Sequence, residues 1–201
     1  MAPVFKIELD EILKKDKLII ELGCGPNKKA GRIGIDILDL EGVDIVADLE
    51  TGLAFFPDNS VDEIHSKSLL EHVDNLGALM KEIWRVLKPD GIKVLFVPHF
   101  SSPYYYSDYT HQRFFGLYTF QYFNKDQSMF KRQVPSFYHD YGFKTVSIKL
   151  DFNSNWFFRK RFKRLVQFIV NLNSYTMEFY EENLCYMIPC NGLKVVLKPD
   201  K

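Results

Sequence analysis

Leu18-Ile-Ile-Glu-Leu-Gly-Cys-Gly-Pro26 is an apolar run that ends in an acidic residue and a glycine turn. The run has the length and composition of a strand in a parallel sheet covered on both faces. Gly23 and Gly25 free the backbone to turn sharply and to approach a ligand with no Cβ in the way. A strand ending in such a turn is how a site for a nucleotide-type cofactor begins, with Glu21, Gly23, Cys24 and Gly25 as candidate residues.

The residues downstream narrow the cofactor. A dinucleotide turn takes a third glycine or alanine three residues after the second, and an acidic residue about twenty positions on. Here the third position is Lys28, and Asp36 comes only eleven residues after Gly25. No glycine-lysine-serine or glycine-lysine-threonine ending offers a triphosphate a cradle. Asp36, at the end of the second expected strand, suits hydrogen bonds from two ribose hydroxyls. A plain strand-end or turn aspartate is the alternative.

Working outward, strand-like and helix-like segments alternate through the first half, which argues for crossover units and a parallel α/β sheet. Strands are expected over residues 18–22, 32–36, 43–47, 61–66 and 92–97, and a helix over 76–87, where Leu76, Leu79, Met80, Ile83, Trp84 and Leu87 recur at helical spacing. Lys88-Pro-Asp-Gly91 reads as a turn after that helix. From 98 to 123 the periodicity gives way to aromatic and polar residues, including Tyr104, Tyr105 and Tyr106, the composition of a substrate-covering insertion beyond a central strand. A strand over 143–152, helices over 157–172 and 176–185, and a strand over 193–197 complete a seven-stranded sheet.

Bulk properties set outer bounds. The 201 residues suit one domain, 1–201, with a real core. Lysine plus arginine equals aspartate plus glutamate at 26 each, so no global field favours nucleic acid or an acidic substrate. The three cysteines, Cys24, Cys185 and Cys190, are odd in number and lack zinc-type pairing, which suggests reduced thiols, a cytoplasmic setting and no metal. Met1-Ala-Pro-Val-Phe-Lys-Ile7 has no basic region followed by an apolar core, and no run is long enough to span a bilayer, so a soluble intracellular protein is expected.

Several spaced stretches then fall into one order: Glu21-Leu-Gly-Cys-Gly25, Gly34-Ile-Asp36, Asp48-Leu-Glu, Phe56-Pro-Asp-Asn-Ser-Val-Asp62, Leu70-Glu-His-Val73 and Glu82-Ile-Trp-Arg-Val-Leu-Lys-Pro-Asp-Gly91. In these the chain resembles the class I S-adenosylmethionine-dependent methyltransferases, especially the small methyltransferase-11-like group. The resemblance covers most of the chain and is strongest from Leu18 to Val97. It implies a Rossmann-like sheet of order 3-2-1-4-5-7-6 with the last strand antiparallel, S-adenosylmethionine as cofactor and S-adenosylhomocysteine as product. It also implies that the turn at Gly23, Cys24 and Gly25 holds the methionine part, Asp36 with Ile37 the ribose side, Asp48 with Leu49 the adenine edge, that Ser66 lines the methyl-transfer side, and that Glu21 helps orient the amino group. One departure is the shortened first crossover: about seven residues separate Gly25 from the next strand, too few for a helix.

Methyl transfer is a displacement at a sulfonium methyl, so the enzyme aligns the acceptor and, for an alcohol, removes its proton. Asp108-Tyr-Thr-His-Gln-Arg-Phe-Phe115 is similar to an aspartate-proline-threonine-histidine-x-arginine-phenylalanine signature of some of these enzymes, with Tyr109 in place of the proline. This makes His111 the first candidate for general base or acceptor-orienting group, with Asp108 fixing its tautomer and Arg113 pairing with an anionic group. The alternative is that His111 and Arg113 only peg the insertion to the domain. His99, after the fifth strand, is the second base candidate. His72 is as well read as support for the helix after strand four, and His65 and His139 as ordinary structural histidines.

Tyr104, Tyr105 and Tyr106 form either an aromatic wall for a sugar, ring or amine, or a packed lid. Arg159-Lys-Arg-Phe-Lys-Arg164 is the one dense basic run, on a helix whose Phe158, Phe162, Leu165, Ile169 and Leu172 make an apolar stripe. It reads as a peripheral contact to an anionic lipid surface or phosphate-linked carrier, or as a solvated face above a core-facing stripe. The carboxyl-terminal stretch resembles the ending of methyltransferases of surface-sugar biosynthesis. The expected reaction is therefore methyl transfer to a small molecule, a sugar or related hydroxyl or amine. The alternatives are a protein or nucleic-acid acceptor, or a non-catalytic cofactor-binding scaffold.

Overall fold

The computed structural model describes residues 2–201 and contains one mixed sheet. Its strands are β1 (Val4–Phe5), β2 (Ile19–Leu22), β3 (Ile33–Asp36), β4 (Ile45–Val46), β5 (Val61–Lys67), β6 (Leu87–Pro98), β7 (Phe143–Asp151) and β8 (Gly192–Pro199). The helices are α1 (Leu9–Leu13), α2 (Leu76–Val86), α3 (Pro103–Ser107), α4 (Phe157–Val170) and α5 (Ser174–Asn183).

Across the sheet the order is β1-β4-β3-β2-β5-β6-β8-β7. Counted from β2, this is the expected 3-2-1-4-5-7-6, and β8 runs antiparallel to both of its neighbours. The expected count of seven needs correction to eight, because β1 adds an antiparallel edge through Val4↔Val46 and Phe5↔Ile45. A two-residue strand is too short to show alternation in sequence.

The segment Lys88-Pro-Asp-Gly91 is also corrected. It lies inside β6 as a bulge, where pairing with β5 jumps from Val61↔Leu87 to Glu63↔Ile92. Gly91 is required there: a Cβ would sit 3.0 Å from the carbonyl oxygens of Asp62 and Lys88. Before it, α2 opens on Asn75, whose Oδ1 accepts the Ala78 N–H at 3.0 Å, and buries Leu79, Met80, Ile83 and Val86.

The central sheet has one dry face. Ile20, Leu22, Ile64, Leu95, Val97, Val195 and Leu197 point into the core, where they meet α2 and the aromatic segment after β6. Their sheet neighbours Ile19, Glu21, Glu63, His65, Val94 and Phe96 are only half-buried. The expectation of cover on both faces therefore fails, and the reason is connectivity. The 23–32 connection holds only a single 3-10 turn (Gly25–Asn27) and the 37–44 connection no helix, so Cys24 and Lys28 cover Gly34 of β3 while β2 and β5 are left half-covered on that side. A groove of about 430 Å³ crosses this face beside Glu21, Arg32, His65, Phe96 and Lys149.

The segment between β6 and β7 is anchored by Phe115, Leu117, Phe120 and Phe123, all buried in the same core. Tyr105 is buried beside them, whereas Tyr104 and Tyr106 stay exposed.

Helix α4 overturns the core-facing reading of its apolar stripe. Phe158, Phe162, Leu165 and Ile169 are 84%, 54%, 58% and 48% exposed. Val166 and Val170 make its apolar contact with the core instead. Polar bonds to β7 complete the attachment: Gln167 Oε1 accepts the Phe152 N–H at 2.7 Å, and Asn171 bonds both the N–H and the carbonyl of Leu150 at 2.8 Å. Helix α5 begins two residues earlier than its periodicity predicts, because Asn173 and Thr176 form a capping box.

Candidate functional site

The turn after β2 is built as its glycines require. Gly23 and Gly25 take φ of +62° and +54°, and the Gly23 N–H donates to the Ile35 carbonyl at 2.8 Å, tying the turn to β3. A Cβ on Gly23 would lie 2.9 Å from Leu69 Cδ1, so the loop after β5 closes directly on the turn. Cys24 is buried, and burial, followed by Asp36 and Glu21 nearby, pushes its thiol up to about 11.

Asp36 faces the turn. Its Oδ2 accepts the Gly25 N–H at 2.8 Å and its Oδ1 the Leu38 N–H at 3.1 Å. A carboxylate offers about four acceptor directions, so capacity remains on both oxygens. Ile37 beside it is exposed. Asp48 caps the turn Leu49–Thr51 by accepting the Glu50 N–H at 3.0 Å, and Leu49 is buried. Glu21 lies on the bare face of the sheet, where Oε2 accepts from Arg32 Nη1 and the Lys29 N–H, each at 3.2 Å. It thereby stitches down the helix-less connection. Ser66 is buried on the core face, its Oγ accepting from Lys93 Nζ at 2.6 Å. Its side chain is committed to Lys93 rather than presented to a ligand.

The loops at 69–74 and 105–113 meet beyond Leu69. The Gln112 and Arg113 N–H groups donate to the Glu71 carbonyl at 2.8 and 3.2 Å, and Arg113 clamps the carbonyls of Val73 and Asp74. Arg113 thus pegs the two loops together through two of its five N–H donors. The same contacts bring Glu71, His72 and His111 together, each with a side-chain donor atom within 4.8 Å of the others.

The ring states follow from their partners. His111 Nδ1 lies 2.9 Å from the Tyr105 carbonyl, which can only accept, so Nδ1 carries the proton and Nε2 the lone pair. The expectation that Asp108 fixes this tautomer is corrected: the Tyr105 carbonyl sets it, and Asp108 Oδ2 lies 3.6 Å from Nε2. Thr110 Oγ1 donates to Asp108 Oδ1 at 2.6 Å and so accepts from His72 Nδ1 at 3.0 Å. His72 therefore also keeps its lone pair on Nε2. Glu71 is 1% exposed, its Oε2 has no hydrogen-bond partner, and burial, with Asp108 adding to it, pushes its carboxyl up to about 7.

His99 sits elsewhere and is fully buried. Its Nδ1 meets Ser101 Oγ at 2.8 Å and its Nε2 meets Glu181 Oε2 at 3.0 Å, joining the end of β6 to α5. With both nitrogens engaged and no solvent access, it has no free lone pair for an acceptor proton, which removes the second base candidate. The sequence reading passed over Glu71 and left His72 evenly between a supporting and a site role. The available signal was the repetition of a histidine beside a carboxylate-bearing motif in Leu70-Glu-His-Val73 and again in Asp108-Tyr-Thr-His111.

Comparison with known proteins fits this geometry. Residues 20–95 match the family described as a methyltransferase domain. No curated protein matches the chain. Among solved structures, a S-adenosylmethionine-dependent methyltransferase from Archaeoglobus fulgidus is similar at a TM-score of 0.51 and 16% identity, over 94% of this chain and 89% of that one. The YcgJ protein of Bacillus subtilis gives 0.50 and 16%, over 96% and 97%. Phosphoethanolamine N-methyltransferase 2 of Haemonchus contortus, in complex with S-adenosyl-L-methionine, gives 0.52 and 14%, over 96% of this chain and 52% of its own. At these identities the structures establish the fold, and the family match covers the strands that carry the glycine turn, Asp36 and Asp48. Residues 20–95 thus match a methyltransferase domain, and the sheet around them has the Rossmann-like methyltransferase fold.

Proposed function

We propose that this enzyme transfers a methyl group from S-adenosylmethionine to a hydroxyl or amine of a small molecule, a sugar or related compound, in the cytoplasm. The observation that supports the reading is the contact of Leu69 with the Gly23 turn, in a loop bonded at the Glu71 carbonyl to the loop that carries His111. The donor cradle fits its group: a Cβ position on Gly25 faces open space, Asp36 keeps acceptor capacity, and exposed Ile37 supplies an apolar face beside it.

In this reading Gly23, Cys24 and Gly25 hold the methionine part through backbone groups, Asp36 accepts from the ribose hydroxyls, and Asp48 with the Leu49 backbone takes the adenine edge. When bound, the donor supplies a methyl on a sulfonium sulfur. The acceptor atom forms its bond to that carbon as the carbon–sulfur bond breaks, and the electron pair stays on sulfur. His111 Nε2 orients the acceptor or receives its proton, with Tyr105 holding the ring. The segment 98–123 covers the acceptor, with exposed Tyr104 and Tyr106 as its wall. The Haemonchus protein, an N-methyltransferase of a small amine by name, lends support to the acceptor class.

The test is transfer of labelled methyl from S-adenosylmethionine to saccharide and amine acceptors, beside protein and nucleic-acid fractions. We expect label in small molecules, lost in His111→Ala while donor affinity survives. Label confined to macromolecules overturns the acceptor assignment, and donor binding with no transfer to any acceptor points to a scaffold instead.

A further inference from the structure

We propose that Glu71, His72 and His111 form a site for one divalent first-row metal ion. The inference rests on the methyl-transfer reading for the ion's use, because it places the ion at the acceptor end, but the site itself stands on local geometry.

Four observations support it. The three donors come from two loops locked to each other through the Glu71 carbonyl, so their proximity is built into the backbone. Both imidazoles donate their Nδ1 protons to fixed acceptors, Tyr105 O for His111 and the Thr110–Asp108 relay for His72. This is the outer support that metal-ligating histidines use, and it leaves each Nε2 as a ligand atom. Glu71 Oε2 is buried without a partner, a costly arrangement that a cation would relieve. Asp108 Oδ2 lies 3.6 Å from His111 Nε2, which sets a second carboxylate beside the cluster and adds negative charge there.

Two imidazole nitrogens and one carboxylate oxygen suit zinc, cobalt or iron(II) and leave coordination positions open for an acceptor oxygen or nitrogen. Bonds of about 2.0–2.2 Å require the donors to draw in from their present spacing. With an ion in place, His111 serves by orienting the acceptor, the first of its two roles above.

The experiment is metal titration of the untagged chain, stripped with chelator, using ZnCl₂ in calorimetry and CoCl₂ followed by visible absorption. Wild type should take up about one ion per chain, and His72→Gln, His111→Gln and Glu71→Gln should each weaken binding at least about tenfold. His139→Gln should bind as wild type does. Circular dichroism identifies any variant that fails to fold, and the remaining two then decide. Failure of wild type to bind, or binding indifferent to all three substitutions, overturns the site even where donor binding and methyl transfer are normal. Stoichiometric binding lost in the variants supports it even where no methyl transfer is found.

A separate observation carries a second inference. Helix α4 directs Phe158, Phe162, Leu165 and Ile169 to solvent, and Arg159, Lys160, Arg161, Lys163 and Arg164 lie among them. No acidic residue occurs between Asp151 and Glu178, and among the described residues none of these five cations is in an ion pair with a carboxylate. Exposed Trp156 precedes the helix, with the Arg159 guanidinium 6.0 Å from its ring centroid. We infer that α4 lies in the headgroup region of an anionic phospholipid bilayer, its aromatic stripe immersed and its cations on the phosphates.

Sedimentation with phosphatidylcholine vesicles, with and without 30% phosphatidylglycerol, tests this. Binding should be at least about tenfold stronger to the anionic vesicles, fall with salt, and be lost in Phe158→Ser/Phe162→Ser and in Lys160→Glu/Arg164→Glu. Absence of a preference for anionic vesicles overturns the inference. So does light scattering that shows a dimer in lipid-free solution which Phe158→Ser/Phe162→Ser dissociates.

Discussion

Lys93 Nζ donates to Ser66 Oγ at 2.6 Å across two parallel strands, with both side chains in the core and the lysine fully buried. Burial holds this amine well below the ordinary lysine range. The fold therefore keeps Lys93 neutral at pH values where the unfolded chain binds a proton, and stability rises with pH up to about 10.5, the value in the unfolded chain. Lys93→Met should raise stability near neutral pH by on the order of 1–3 kcal/mol and lose this rise. Urea unfolding of both proteins from pH 7 to pH 10 checks it. Parallel curves would mean that Lys93 stays charged in the fold.

The two turn glycines should separate in their sensitivity. Gly23→Ala meets both an unfavourable φ and the Leu69 side chain at 2.9 Å, whereas Gly25→Ala meets an unfavourable φ and open space. Gly25→Ala should cost about 1 kcal/mol from backbone strain, and Gly23→Ala about 1–3 kcal/mol more. Thermal unfolding ranks the two, and calorimetry with S-adenosylhomocysteine should show the larger loss of affinity in Gly23→Ala.

Arg85 holds the end of α2 to the 53–58 loop. Its guanidinium bonds both carboxylate oxygens of Glu82 at 2.9 Å, Asp58 at 2.6 Å, and the carbonyls of Leu53 and Phe56 at 3.1 and 3.0 Å. A lysine keeps the charge but lacks the planar fork. Arg85→Lys should therefore cost about 2 kcal/mol, close to the cost of Arg85→Ala. Rescue by lysine in a denaturant midpoint measurement would show that charge alone matters.

The Cys24 thiol, raised to about 11, should react slowly despite its place in the cofactor turn. Iodoacetamide at pH 8 should label it at least about tenfold more slowly than a free thiol near pKa 8.5, until denaturant exposes it. Labelling at the free rate in the folded protein would overturn this.

The donor half was legible because its physics is local. A glycine turn, a strand-end aspartate and an asparagine-capped helix each carry their signal within a few residues, and their order specified the sheet. The dry and wet faces were not legible, because Ile19 and Ile20 are equally apolar and only the absent crossover helix separates them. For α4, periodicity revealed the Phe158–Ile169 stripe, but its direction is set by Gln167 and Asn171 bonding to β7. The Glu71, His72 and His111 cluster joins residues some forty positions apart through backbone bonds that no spacing rule contains.

The short links from β2 to β3 and from β3 to β4 bear on how the chain folds. Closing a ten-residue connection costs roughly 1 kcal/mol less entropy than closing a crossover near thirty residues. Parallel pairing, ordinarily slow because its contacts are distant, is here made between near neighbours in sequence. Truncations at Ile20, Ile35 and Ile45 should therefore slow refolding nearly in proportion to the stability they remove, while Val195→Ala and Leu197→Ala should chiefly speed unfolding. The ribbon that holds the cofactor turn would then form at the folding barrier, with the carboxyl-terminal hairpin of β7 and β8 docking after it.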